Sequence, residues 1–565
     1  MRPSFSAVLL IGFLSSSCQA QSKCRNVPGS AGFPRASEWH ALNASVSGRL
    51  LPVVPSAKYC ATLPGGACTD AQWTSALFRN SIPGALNQVN FEQGYDLTPP
   101  SLCLRNSTMC GQGNVPLYSV EAETVKDVKA AVTFAATHDL RLVVKSSGHD
   151  YLGRSTAPVA LLVHMAKFTD VAFTDAFVIG GQNMGSAVTV GPGVHMNDLY
   201  QQTKANGKII VGGSAATVCA AGGYLQGAGH SSLAPLFGLA ADNVLEFQVV
   251  VASGELLIVN SISSPDLFFA LRGGGAGSWG VIVSATVRTF PTFNVTKSVI
   301  ELGALTNTAA ATLAGVHAEH IFDLDPVQGG QYYFLEKPDN TSVLMVETIT
   351  ANTTLDQGMA LLTPFLNDAL VIPDVFLISK DFVTMGVNDA LFHADDSVGA
   401  NLVMGSRFIP AAAYEAPNGS ATVTKVYQEL LDGGARIILG NLVAGGQVSR
   451  NANISSAVHP AWRTAKTHLI LGSGWDDSAS LTEINTLRKW FQTDQVAVLE
   501  QLSGADAGSY SNEADIFEPK FQTTFYGPNY AKLSAIKNKY DPLDLFIVAS
   551  GVGSERWDEW GLCTV

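Results

Sequence analysis

The chain has 565 residues, 47% of them hydrophobic and only 14% charged, with a formal net charge of −13. That length exceeds one simple core, so two or more domains are expected, and the apolar fraction excludes a disordered chain. The acidic balance argues against a nucleic-acid partner, because phosphate neutralisation needs basic surface. No Cys or His pair of zinc-binding type stands out, so no metal is expected.

Residues 1–20 read as a secretory signal. Arg2 supplies the positive end, Ala7 to Leu14 the apolar run, and Cys18-Gln-Ala20 a small-residue cleavage site. The run is too short to cross a bilayer, and nothing later is long enough. The expected location is extracellular, with the vacuole or another endomembrane compartment left open. Seven Asn-X-Ser/Thr sequons, at Asn43, Asn106, Asn294, Asn340, Asn352, Asn418 and Asn453, point to N-glycans. Five of the remaining cysteines crowd residues 21–114, which are rich in Pro and Gly and read as an extended arm clipped by disulfides. Short separations favour Cys60–Cys68 and Cys103–Cys110. Cys24 with Cys563 would then tie the chain ends together, although spacing does not settle connectivity. Cys219 is left over and reads as a buried free thiol.

Order sharpens after Val115. Thr124 caps a predicted helix whose Val125, Val128, Val132 and Ala135 share one face. A strand, Leu142–Val144, then opens into Lys145-Ser-Ser-Gly-His-Asp-Tyr-Leu-Gly-Arg-Ser155. Small residues there let backbone N–H groups approach a pyrophosphate. A second unit follows: a helix over Met196–Asn206 stopped by Gly207, then a strand over Lys208–Val211 entering Gly212-Gly213. Val244–Val251 and Leu256–Val259 read as a hairpin around Ser253-Gly254. Ser264-Pro265 opens a helix, and Val281 to Val287 alternate as a strand. From about Thr296 to Tyr510 the glycine loops thin out into mixed helix and strand, the natural place for a second domain. No solenoid-type repeat is apparent.

Several segments together resemble the FAD-linked oxidases of the vanillyl-alcohol-oxidase type, in the secreted fungal branch that is similar to berberine bridge enzyme. They are Ser147-Gly-His-Asp-Tyr-Leu-Gly153, Ala221-Gly-Gly-Tyr-Leu-Gln-Gly-Ala-Gly-His-Ser231 with Leu236-Phe-Gly-Leu-Ala-Ala-Asp-Asn-Val244, and Leu271-Arg-Gly-Gly-Gly-Ala-Gly-Ser-Trp-Gly-Val281. Tyr526-Gly-Pro-Asn-Tyr530, Lys537-Asn-Lys-Tyr-Asp-Pro542 and the tail from Gly551 to Cys563 complete the set. The pattern is not a Rossmann fingerprint, since no Gly-X-Gly-X-X-Gly opens a helix directly after a strand.

The resemblance implies an α+β fold with a two-part PCMH-type FAD-binding domain over 115–292. An α+β substrate domain is inserted over 293–524, and a berberine-bridge-like segment, 525–565, returns to the FAD domain. It implies FAD as cofactor, held covalently through His149. Ser146, Ser147, Gly148 and Asp150 would line the pyrophosphate. Gly222, Gly223, Gly229 and the Asn243-Val244 edge would form other walls, with Asn529 near the flavin. Many secreted members attach the flavin a second time through the Cys of Gly-X-Cys-Pro-Thr-Val-Gly. Here the stretch is Gly213-Ser-Ala-Ala-Thr-Val-Cys219, with Ala215 at the attachment position, so a single attachment is expected. That departure tilts the substrate toward a smaller molecule than a bulky sugar.

Members often carry a catalytic Tyr-X-Asn-Tyr. This chain reads Tyr510-Ser-Asn-Glu513-Ala-Asp515, placing Glu513 at the base position, with Tyr510 and Asn512 as further polar contributors. A carboxylate over a flavin serves as general base if its pKa suits, and an ordinary structural Glu is the competing reading. His230 reads as structural. The expectation is a secreted, glycosylated oxidase of an alcohol-bearing small molecule, such as a secondary-metabolite intermediate, passing electrons to O₂. A carbohydrate oxidase of the same fold, and a non-catalytic glycoprotein that lost its flavin, are the alternatives.

Overall fold

The structure is a computed structural model, and it describes residues 23–107 and 109–565. The expected signal, 1–20, lies outside the described residues. No helix among the described residues is long and apolar enough to cross a membrane.

Three sheets organise the chain. The first has four strands in the order Leu50–Pro52, Tyr118–Glu121, Leu161–His164, Leu142–Lys145. Its last three strands are parallel, and Leu50–Pro52 joins antiparallel to Tyr118–Glu121. Parallel neighbours need a crossover, and the helix Val125–Thr137 provides it. Thr124 caps that helix by accepting from the Asp127 N–H, and Val128, Ala131, Val132 and Ala135 are buried. The second sheet is antiparallel, in the order Leu256–Asn260, Val244–Val250, Val281–Arg288, Ala187–Val190, Val171–Thr174. The expected hairpin forms there. The predicted strand 208–211 is shorter, Lys208–Ile209, because its partner Phe290–Pro291 is only two residues long and one of them is a proline without an N–H.

The third sheet has seven antiparallel strands, in the order Val375–Gly386, Asn294–Ala304, Ser342–Ala351, Gly330–Glu336, Ile437–Leu442, Ala465–Trp475, Asn401–Pro410. One face carries Ile300, Leu302, Val346 and Ile438 into a core shared with the helices Asn307–His320, Leu355–Ala369 and Gly419–Asp432. The other face carries a polar and aromatic row. Tyr332 stands opposite Asn441, Asn441 opposite His468, and His468 opposite Phe408. Directly opposite residues share a face, so this row projects together toward the glycine loops.

The segment 21–114 is not the extended arm expected. It holds short helices, Ala36–Ser45, Ser56–Cys60, Asp70–Thr74 and Ala76–Asn80, and its strand Leu50–Pro52 is part of the first sheet. Buried polar groups explain the compaction. The Arg79 guanidinium is paired with Glu92 at 2.5 Å, both within the interior. The Lys145 ammonium donates to the carbonyls of Ile82 (2.7 Å) and Ala85 (2.6 Å), which anchors the segment beneath the loop 146–149. Disulfides join Cys24–Cys563, Cys60–Cys68 and Cys103–Cys110, and Cys219 is free and buried.

Candidate active site

A cavity runs between the loop after Leu142–Lys145, the loops 213–226 and 276–282, and the segment 510–513. Ser146, Ser147, Gly148, His149 and Asp150 all line it, as do Gly222, Gly223, Tyr510, Asn512 and Glu513. A strand that ends in small residues turns its backbone inward, and Gly148 makes that turn with φ +88°. The Asp150 carboxylate is spent on the turn itself: Oδ1 accepts from the Leu152 N–H (3.1 Å) and Oδ2 from the Ser155 N–H (2.5 Å). It therefore shapes the loop, and an anion there gives nothing to a pyrophosphate.

Four expected residues sit elsewhere. Gly229 packs at φ +71°, where a Cβ would strike Ala240 and the Tyr224 ring, and its N–H donates to Tyr510 Oη (3.3 Å). Asn243 turns its side-chain amide onto the carbonyls of Phe237 and Leu239, closing a tight turn. Val244 points into the hydrophobic core. Asn529 donates to the carbonyls of Ala457 and Val458. None of the four lines the cavity. The resemblance implied their place at the cofactor, and here each is committed to packing or to hydrogen bonds of its own turn.

At one end of the cavity, His149 Nε2 lies 2.5 Å from Thr217 Oγ1 and 3.4 Å from Asp396 Oδ2. Asp396 also accepts from the backbone N–H groups of Ala216 (3.0 Å) and Thr217 (2.8 Å). Burial works against its ionisation, but the His149 ring and the Thr217 donors outweigh that and hold the carboxyl well below its usual range.

At the other end, Glu513 is central. His230 Nε2 stands 3.1 Å from both carboxylate oxygens, and His468 Nδ1 stands 3.5 Å from Oε2. His230 Nδ1 meets Tyr332 Oη at 3.1 Å. Burial opposes ionisation of Glu513, yet the two histidines more than offset it and keep the carboxyl far below its ordinary pKa. Tyr510 Oη accepts from Gly229 and from Asn512 Nδ2 (2.9 Å), while burial and the Glu513 charge push its phenol above the ordinary range. Tyr510 is thus a donor and no base. Asn512 is fully committed: Oδ1 accepts from the Arg154 guanidinium (2.8 Å), and Nδ2 also donates to Gly223 O (3.1 Å).

His230, expected to be structural, lines the cavity and is bonded to Glu513 and Tyr332. His468, Tyr332, Asn441, Thr217 and Asp396 were not singled out at all. His468, Tyr332 and Asn441 come together through register across three strands, and Asp396 through a loop 179 residues beyond Thr217. No local motif marks such partners. The histidine within Gly-Ala-Gly-His-Ser and Thr217 within Gly213-Ser-Ala-Ala-Thr-Val-Cys219 did stand in recognisable segments.

A family model described as an FAD binding domain matches residues 116–260, and one described as berberine and berberine like matches residues 509–553. A protein of Arthroderma benhamiae described as an uncharacterized FAD-linked oxidoreductase is 36% identical, over 100% of both chains. The crystal structure of a VAO-type flavoprotein from Myceliophthora thermophila superposes with a TM-score of 0.85 at 28% identity, covering 96% of this chain and 100% of its own. The chain belongs to the FAD-linked oxidoreductases of the vanillyl-alcohol-oxidase and berberine-bridge-like family. The FAD-linked oxidoreductase patO of Aspergillus clavatus is a further relative, 32% identical over 94% of this chain and 92% of its own.

The lining of the cavity fits the cofactor this oxidoreductase binds. Gln226 Oε1 is buried there with no hydrogen-bond partner among the described residues, as expected of a group that awaits a polar ligand, and Arg154 Nε, also without a hydrogen bond, faces Asp150 Oδ1 at 3.6 Å. A Cβ on Gly222 would come within 3.0 Å of Ser146 Oγ, so the loop stays narrow only with glycine. Ser146, Ser147, Gly148, Gly222 and Gly223 would hold the dinucleotide, and Arg154 would supply positive charge. Cys219 also lines the cavity, and burial pushes its thiol up to about 12.

Proposed function

We propose that this FAD-dependent oxidoreductase is a secreted oxidase of an alcohol-bearing small molecule, with its flavin attached through His149. Bound FAD supplies the two-electron acceptor, and O₂ takes the electrons on to H₂O₂. The observation that carries the reading is the Glu513–His230 pair opening into the cavity.

Oxidation of an alcohol needs the hydroxyl proton removed as the carbon gives up hydride. An ionised Glu513 in contact with His230 can take up one proton. The carboxylate faces the substrate, and the His230 ring, in contact with both of its oxygens, orients it. Tyr510, with two donors on its oxygen, presents its own O–H to the substrate oxygen. His468 and Asn441 hold the pair in place from the sheet. The non-catalytic alternative falls away with the family membership. Ala215 leaves the second tether unfilled and favours a compact substrate. A secondary-metabolite intermediate fits that class.

Secretion and glycosylation rest on three disulfides and on the sequons, six of which present exposed asparagines. Asn43 is the exception, half-buried with Oδ1 accepting from the Leu50 N–H.

The test is an alcohol panel scored by H₂O₂ release, repeated with Glu513→Gln. The variant should keep its flavin and lose roughly 100-fold or more in turnover, the usual contribution of a general base. Turnover unchanged in Glu513→Gln would remove the pair from the mechanism.

A further inference from the structure

We propose that Asp396, together with Thr217, is the positioning residue that makes His149 a nucleophile for flavin attachment. This rests on the attachment proposed above and goes beyond it by fixing which ring nitrogen reacts and why.

The hydrogen-bond directions settle the tautomer. The Thr217 hydroxyl has one proton, and at 2.5 Å from Asp396 Oδ2 it donates to that carboxylate. Its oxygen then only accepts from His149 Nε2, also at 2.5 Å. Nε2 therefore carries the ring hydrogen, and Asp396 at 3.4 Å adds a negative charge on the same side. With Nε2 holding the hydrogen, the form of the imidazole that can react is the one whose bare lone pair is on Nδ1. The ring's side-chain hydrogen bond is made through Nε2, and the ring lines the cavity. Fixing one nitrogen with a carboxylate so that the other reacts is the logic of a nucleophile oriented by a third group.

Attachment replaces one C–H of the flavin methyl carbon by a bond to Nδ1. Nδ1 supplies the electron pair of that bond, and the methyl carbon gives up a proton. The second proton is the one on Nε2, which leaves by way of Asp396. Bound FAD would accept the two electrons left over, and dioxygen would take them with the two protons, giving H₂O₂. Positive charge grows on the imidazole as the bond forms, and an ionised Asp396 stabilises it where a neutral group would not.

Asp396 stands between parts of the chain that are far apart in sequence. It belongs to the loop before the strand Asn401–Pro410, while His149 and Thr217 belong to the glycine-loop region. The attachment site is therefore complete only once the loop 394–396 is seated.

The experiment compares the natural protein with His149→Ala, Asp396→Asn and Thr217→Val. Each is purified in its flavin-bound state and assayed for fluorescence retained after denaturing electrophoresis, alongside total FAD released by acid. The natural protein should retain its flavin, and His149→Ala should release all of it. Asp396→Asn should be yellow when native yet attach flavin roughly 10-fold to 100-fold more slowly, the loss typical when the outer partner of a working histidine is removed. Thr217→Val, which changes no charge, should show the same split between binding and attachment if Asp396→Asn fails to fold. A merely structural role would lower binding and attachment together, and that result overturns the proposal. Full, rapid attachment in both variants overturns it as well while leaving His149 as the tether. Flavin released from the natural protein overturns both readings at once.

Discussion

Two carboxylates two residues apart show how local partners decide an acid's behaviour. Glu513 meets two imidazoles and stays ionised. Asp515 is buried with only the Phe517 N–H (2.9 Å) and the Gln492 amide (3.3 Å). Burial raises its pKa from 3.8 to about 6, Glu518 adds to the rise, and Arg407 offsets it only in part. Between about pH 4 and pH 6 the folded protein therefore holds a proton the unfolded chain has released. Stability falls as pH rises through that window, and the whole cost, up to about 3 kcal/mol, is present above it. Asp515→Asn keeps the acceptor for Phe517 and removes the charge. It should stabilise the protein near pH 7 and have little effect near pH 4. Urea midpoints at the two pH values check this, and an equal effect at both would show that the charge of Asp515 costs nothing.

Among the elements, those governed by neighbours in sequence were legible. The Thr124 cap, the Pro265 helix start and the hairpin at Ser253-Gly254 follow from local rules, and all three occur. The row Tyr332–Asn441–His468 was not legible, because register between strands separated in sequence by other elements leaves no periodic trace along the chain. The loop 213–219 falls between these cases. Its departure from the family pattern at Ala215 was readable, while its support by Asp396, through the N–H groups of 216 and 217, was not. That support has a consequence. Ala215 lines the cavity and is only half-buried, so a sulfur there has space and a fixed backbone beneath it. Ala215→Cys should create a second covalent link to the flavin. In the double variant His149→Ala with Ala215→Cys, fluorescence should survive denaturation where His149→Ala alone loses it. A double variant that releases all its flavin would mean that position 215 does not reach the ring.

For the whole molecule, the boundary expected at residue 115 does not separate the first sheet from the segment before it, since Leu50–Pro52 completes that sheet. Cysteine density made the segment look like an arm, whereas buried Arg79, Glu92 and Lys145 draw it inward. The two chain ends are likewise one structure. Arg25 N–H donates to Leu562 O (2.8 Å), its guanidinium donates to Gly561 O (2.9 Å) and lies over the Trp557 ring at 4.3 Å, and Thr564 N–H donates to Lys23 O (2.9 Å). Cys24–Cys563 closes 539 residues around this contact, while Cys60–Cys68 closes only 8. Constraint of the unfolded chain grows with loop length, so the two bridges should differ in worth: about 2 kcal/mol for the short one and up to about 5 kcal/mol for the long one. Replacing both cysteines by serine in each pair separates them. The Cys24/Cys563 variant should lose at least twice the stability of the Cys60/Cys68 variant, measured by denaturant midpoints under identical conditions. A smaller loss from the long bridge would place the stabilisation in the hydrogen bonds and the Arg25–Trp557 stack, which hold the ends together without it.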